Sequence, residues 1–397
     1  MRHLFREPSI LLALVIAFLL TLFPQPVSAQ YTVSNLVSND SAFSPLNIDP
    51  NLVNGWGLAS FPNGPWWVSN QNSSTSTLYD GDGTIVPLVV QIPCVASGTV
   101  TVPCPFPGEG LLFEPNNGMF NFFGPTGVVA NPYASAFIIP GTSSSAQFIF
   151  ATLDGLIVGW NSSVNATQGV VIVNRNSVGA SYNGLALSGP PSDPHLYATN
   201  TVTGGEVDVF DRHFNLVNSF PADSNVPVNF APYGVDTIGN KLYVTYFSFV
   251  GSAGILDVCD LATSFTNPKC RRLFASLGSS PVLASPFGMV RAPDNFGPLS
   301  NKLLVGNVDD GLIHAFESDT GRLIGTLRLT DGSDFSVPGL WDLGFGSGNA
   351  SNGATNQLFF SSGPCPPLSG TCPVQLYGDG LFGVIAPAGN DAPGAGR

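Results

Sequence analysis

A short phrase, an aromatic or polar residue followed by Gly and then an apolar residue, recurs six times along this chain. The copies are NGWGLAS at 54, GPTGVVA at 124, SYNGLAL at 181, APYGVDT at 231, SPFGMVR at 285 and GLWDLGF at 339, the last with Asp342 in the Gly position. Each is followed by a second apolar run: WWVSN, FIFAT, LYATN, LYVTY, LLVGN and LFFSS, beginning at Trp66, Phe148, Leu196, Leu242, Leu303 and Leu358. After a turn comes a third, STLYDG at 76, GLIVGWN at 155, GEVDVFD at 205, GILDVCD at 254, GLIHAFE at 311 and GLFGVI at 380. A fourth run, PLVVQI at 87, GVVIVN at 169, NLVNSF at 215, CRRLFA at 270 and RLIGTL at 322, closes five of the six copies. Short runs rich in Val, Ile, Leu, Phe and Tyr, punctuated by Gly, Asp, Asn and Pro, are strands rather than helices. Four strands per unit, six times over, predict an all-β fold, a six-bladed β-propeller with four-stranded blades.

A propeller must close its ring, and the sixth copy offers only three strands. The orphan segment YTVSNLVS at 31–38 precedes the first copy and is expected to be the missing outer strand of the last blade, which covers an otherwise open sheet edge. The Gly position falls at 57, 127, 184, 234, 288 and 342, and the long first step places an insertion with Cys94, Cys104 and the stretch EPNNG in residues 93–123. Ahead of the repeats, Arg2, His3 and Arg6 precede an apolar run from Ile10 to Phe23 and the small-residue pattern Val27-Ser28-Ala29. This is the pattern of a cleaved export signal, and the apolar run is short for a membrane-spanning helix. The expected organisation is a signal at 1–29, the propeller at 30–385 and a flexible tail at 386–397, with no membrane span after cleavage. The mature protein is expected to be secreted or periplasmic, and monomeric.

Composition narrows the partners. The chain has 13 Lys+Arg against 26 Asp+Glu, and loss of Arg2, Arg6 and Glu7 with the signal would move the formal charge from −13 to −14. No basic run remains to bind phosphates, which excludes a nucleic-acid partner. With 44% hydrophobic and only 10% charged residues, compositional disorder is excluded as well. The six cysteines fall in three close pairs: Cys94 with Cys104, Cys259 with Cys270, and Cys365 with Cys372. An even count in an exported chain points to three local disulfides. No Cys-x-x-Cys occurs, and His195, His213 and His314 are scattered, which argues against zinc.

Antiparallel geometry brings the start of the first strand and the end of the second to one face near the central channel. The starts carry Trp56, Thr126, Asn183, Tyr233, Phe287 and Trp341, and the ends carry Asn70, Thr152, Asn200, Tyr246, Asn307 and Ser362. Aromatic and amide groups together form a candidate ligand mouth from Trp56, Asn70, Asn183, Asn200, Tyr233, Phe287, Asn307 and Trp341. The plainer reading is that the aromatics wedge blades together and each Asn bonds its own turn. Aromatic faces suit sugar rings, so a saccharide, a peptide or a cell-surface partner is expected, bound without turnover because no carboxylate cluster is present to activate water.

The phrases DPNLVNGWGLA at 49–59, STLYDGDGT at 76–84, FIFATLDGLIVGWN at 148–161, LYATN at 196–200 and GLWDLGFG at 339–346 resemble a family of exported bacterial propellers, some of which carry a PEP-CTERM sorting tail. The resemblance covers essentially the whole mature chain and implies fold and export but no activity; residues 386–397 lack the apolar helix and basic stop of such a tail. More distantly, the blades are similar to NHL-type and gluconolactonase-like propellers. That similarity implies a divalent metal, calcium for instance, at the channel mouth, with SYNGLALSGPPSDPHLYATN at 181–200 placing Asn183 as a ligand. The rest of that ligand set is missing: blade one has NGWG without Glu, and Tyr233 stands where an Asp is expected. Asn183 and Asp342 are therefore weak metal candidates, and no cofactor is expected. Asp80-Gly81-Asp82-Gly83 and Asp309-Asp310-Gly311 read as turns. Three functions follow from these residues: a binding propeller, a metal-dependent lactonase-like hydrolase, and a structural envelope or matrix protein.

Overall fold

The computed structural model describes residues 30–96, 98–102, 104, 111–114, 119–202, 205–221, 225–278, 280–364 and 378–389. The expected signal at 1–29 and residues 390–397 lie outside the described residues. Six antiparallel sheets form a six-bladed propeller whose first strands, lining the centre, are Gly55–Ala59, Pro125–Ala130, Tyr182–Ser188, Phe230–Ile238, Pro286–Arg291 and Leu340–Phe345. In blade one the strands that follow outward are Trp66–Asn70, Thr75–Tyr79 and Ile85–Gln91. The second and third of the four are buried at every position, because both faces of a blade pack against its neighbours, whereas Ile85–Gln91 at the rim is largely half-buried. This radial gradient explains why the second and third runs read as unbroken apolar stretches rather than as alternating ones.

The recurrent phrase is a β-bulge. In every blade the register between first and second strands skips two residues, between Gly55 and Leu58, Pro125 and Val128, Tyr182 and Leu185, Pro232 and Val235, Pro286 and Met289, and Leu340 and Leu343. The skipped pair is the aromatic or polar residue and the Gly or Asp342. Released from its own sheet, the bulge presses against the inner strand of the next blade. A methyl group on Gly57, Gly127, Gly184, Gly234 or Gly288 would stand less than 3.0 Å from backbone atoms of that strand, so only Gly fits. Second-strand hydroxyls brace three of the bulges: Thr199 and Thr245 accept from Gly184 N and Gly234 N at 2.7 and 2.9 Å, and Ser361 from Asp342 N at 3.2 Å.

The ring closes as the orphan segment predicts. Tyr31–Ser38 pairs antiparallel with Leu381–Pro387 as the outer strand of blade six, and Asn47–Ile48 adds a short parallel edge strand beyond it. The last blade strand thus runs two residues past the expected domain boundary at 385. Tyr31 is fully buried; its hydroxyl donates to Phe296 O at 2.7 Å and accepts from Leu299 N at 3.1 Å, and its ring lies 4.7 Å from that of Phe296.

The insertion forms two hairpins, Cys94–Ala96 with Thr99–Thr101 and Leu111–Glu114 with Met119–Phe122. Two of the three expected disulfides are present among the described residues. The bond between Cys94 and Cys104 ties the first hairpin, and that between Cys259 and Cys270 joins the two outer strands of blade four, Gly254–Asp260 and Lys269–Ser276. The third expected bond is not among them, because Cys365 and Cys372 both lie outside the described residues.

Closure depends on Tyr31 in a way that separates packing from hydrogen bonding. Tyr31→Phe leaves Phe296 O and Leu299 N without their buried partner and should cost about 1–3 kcal/mol. Tyr31→Ala also removes the ring and should cost about 3–5 kcal/mol. Urea unfolding of the two variants checks the order; equal stabilities for both variants and wild type would show that the N-terminal strand does not hold the ring.

Candidate functional site

The bulges aim four aromatic side chains at the channel axis. Trp56 and Trp341 stack with centroids 3.6 Å apart, and Phe287 meets Trp341 edge-on at 5.5 Å. Tyr233 meets Phe287 and Trp341 edge-on at 5.1 and 5.9 Å. With Val308 they form one buried cluster, no member of which is more than 9% exposed. Trp341 Nε1 donates to Asn54 Oδ1 at 2.8 Å, Asn54 Nδ2 to Gln71 Oε1 at 2.8 Å, and Gln71 Nε2 to Phe123 O at 2.6 Å, a relay from blade six to the entry of blade two. Each amide makes a local bond, although Asn70 Oδ1 and Asn307 Oδ1 are buried without a hydrogen-bond partner. Asn70 donates to Thr75 and Thr77 hydroxyls, Asn183 to Thr201 Oγ1, and Asn307 to Val282 O, while Asn200 Oδ1 accepts from Ser181 N. The structure therefore brings the four aromatics together, with their faces against one another, and leaves each Asn in its own corner. They plug this end of the channel.

Phe287 also borders a cavity of about 370 Å³ that the inner strands of all six blades line, within the range of small-molecule sites. Its wall is mostly apolar side chains and bulge backbone. Ser60, Thr237 and Ser347 contribute hydroxyls, and Trp66, Phe287 and Phe345 contribute rings. Two residues in the wall are ionisable, Asp236 and Asp342.

Asp342 is in the cavity because of where the repeat places it. In the other five blades the Gly lets two backbones touch; at the seam between blades six and one the carboxylate intervenes instead. Its Oδ2 accepts from Leu58 N of blade one at 2.9 Å, and its Oδ1 accepts from Leu343 N at 2.9 Å. Burial pushes its carboxyl up to about 6, against the pull of those two N–H groups. Asp236 stands two residues after the blade-four Gly, and its Oδ1 accepts from Thr237 N at 2.6 Å. Burial pushes it up further, to about 8, and the charge on Asp342 adds to the shift. Asp236 thus keeps its proton to higher pH than Asp342 does.

Sequence reasoning identified Asp342 but missed Asp236, although the signal was present. Two residues after the Gly position the other blades carry Ala59, Val129, Ala186, Val290 and Gly344, all small or apolar, and Asp236 is the exception. The lactonase-like ligand set does not fit. Asn183 is turned to Thr201 while Asp342 faces the cavity, and among the described residues no three His, Cys, Asp or Glu side chains cluster as metal ligands.

The proton affinities make a signed prediction. A carboxyl raised in the folded state from 3.8 to about 8 makes folding progressively less favourable as pH rises through that window, with no further change above it. Asp236→Asn removes this contribution. The difference in melting temperature, variant minus wild type, should therefore rise between about pH 4 and pH 8 and then flatten. A pH-independent difference would place Asp236 in an ordinary solvated environment.

No protein-family model matches the chain. It is 27% identical over 335 residues to an uncharacterized protein, L690, of Acanthamoeba polyphaga mimivirus, spanning 80% of this chain and 79% of that one. Protein R640 of the same virus is 30% identical over 207 residues, 50% of this chain and 37% of its own. Among solved structures, a streptogramin B lyase is similar with a TM-score of 0.48 and 12% identity, over 90% of this chain and 98% of that one. A regucalcin from Agrobacterium tumefaciens, described as a calcium-binding protein, is similar with a TM-score of 0.48 and 13% identity, over 85% of this chain and 90% of its own.

Proposed function

We propose that this is an exported binding propeller whose ligand occupies the central cavity. The observation that carries this reading is the pair Asp236 and Asp342, two carboxylates with no basic side chain beside them in the wall of the central cavity. Carboxylates in such a setting are unfavourable for folding, so their presence favours a role in recognition. The plug supports the same reading, since the aromatic faces that would hold a ligand at the expected mouth lie against each other. The two disulfides support a site of action outside the cytoplasm.

A second reading rests on two carboxyls of unequal proton affinity in one cavity wall. One protonated and one ionised carboxyl in a small cavity is the arrangement that general acid–base catalysis uses. Turnover of a lactone or glycoside with a pH optimum between about 6 and 8, abolished by Asn at either position, would establish it.

A panel of glycans, lactones and small amines, screened by thermal shift on wild type, tests the binding reading. Hits should lose at least about tenfold in affinity in Asp342→Asn, the loss of one charge-assisted interaction, and change little in a Trp56→Phe variant that keeps the plug. Hits that ignore Asp342→Asn but disappear in Trp56→Phe would return the site to the mouth.

A further inference from the structure

We infer that the cavity takes an organic ammonium ion, a primary amine or a quaternary ammonium, held by Asp236 and Asp342 and by the aromatic side chains beside them. This deepens the binding reading above and rests on it. The first observation is a missing charge. Six ion pairs form among the described residues, and neither Asp236 nor Asp342 belongs to one. The buried carboxylates of the third strands have cations of their own: Arg272 Nε lies 2.7 Å from Asp257 and Arg175 Nε 3.4 Å from Asp208. The channel pair has only backbone N–H donors and no cation in the cavity wall. A cationic ligand would complete it.

The second observation decides which cation. A hard divalent ion takes six to eight oxygens, and the wall offers two carboxylates with no third His, Cys, Asp or Glu. The same wall carries parts of Trp66, Phe287 and Phe345, and a wall with both rings and carboxylates suits a soft, weakly hydrated cation through its charge and its methyl or methylene surface together. The cavity is also far larger than a metal ion and has room for an organic cation. Asp342 is preorganised for this, since two backbone N–H groups from two blades hold its carboxylate in place.

The remaining ionisable groups nearby do not compete. Tyr243, opposite Asp236 in the neighbouring strand, is raised above its ordinary value by burial and stays neutral. Arg291 ends the blade-five inner strand at an exposed position outside the cavity wall, and Tyr182 bonds Asp208. With the pair titrating between about 6 and 8, affinity for a permanently charged probe should rise as pH passes through that range.

Isothermal titration of the folded protein with tetramethylammonium, choline, butylamine, calcium chloride and glucose tests the inference. At least one ammonium probe should bind in the micromolar to millimolar range, about tenfold or more weaker in Asp236→Asn and in Asp342→Asn, with calcium and glucose silent. Circular dichroism melts keep loss of binding distinct from loss of fold, and two independent Asn variants guard against either one failing to fold. Calcium binding lost in both variants, without ammonium binding, would overturn the ammonium assignment and leave the cavity as the site; glucose binding there would do the same. Ammonium binding unchanged in both variants would overturn the cavity reading itself. Silence from every ammonium probe would overturn the inference.

Discussion

The molecule depends on the contact of one inner strand with the next. At each bulge the backbone leaves its own sheet and meets the bulge of the neighbouring blade at a distance that excludes even a methyl group, which is why five of the six positions are Gly. Around a ring, that contact must be made six times, and the sixth joins the last blade to the first. There the chain uses a side chain: Asp342 reaches across to Leu58 N, and Trp341 stacks on Trp56. The outer half of the same seam is fastened by Trp66 Nε1 to Asn352 O at 3.1 Å and by Asn352 Nδ2 to Phe61 O at 3.0 Å.

Replacing a backbone contact with a carboxylate has an electrostatic consequence. The other inner strands line the channel mainly with apolar side chains and backbone, Asp236 and Thr237 of blade four excepted, and Asp342 brings a carboxylate into the same space. Its two N–H donors keep it ionisable near neutrality, and its charge adds to the burial that raises Asp236. The plug and the cavity are thus two products of one geometry. Where the bulge residue is aromatic the channel fills, and below it, where side chains are small, space remains for a guest.

The repeats were legible because propeller blades are built from local hairpins, and the order of apolar runs survives translation into strands unchanged. The role of residues 31–38 followed from counting strands. Spacing alone was enough for the disulfides of the insertion and of blade four, since each closes a short hairpin; the expected bond from Cys365 to Cys372 falls outside the described residues. The orientation of the aromatics was not legible in the same way. Position alone puts Trp56 and Trp341 at the mouth, but whether rings point into solvent or into one another is decided by the bulge, which no residue pattern marks as such. Asp236 was overlooked for a related reason. The expectation looked for carboxylates at strand ends, where turns concentrate polar groups, and Asp236 lies inside a strand whose other copies are apolar. The tail boundary missed by two residues because Pro387 reads as a breaker, yet at a strand's last position it has no ladder bond to donate.

The most direct measurement is an NMR titration of the aspartate side-chain carbons with and without tetramethylammonium. The carboxyls of Asp236 and Asp342 should titrate near 8 and 6, above the ordinary carboxylate range, and both should fall when the probe is added, because a cation in the cavity favours their ionised forms. Two carboxyls that titrate near 4, with no response to the probe, would contradict a cation-binding cavity at the centre of the ring.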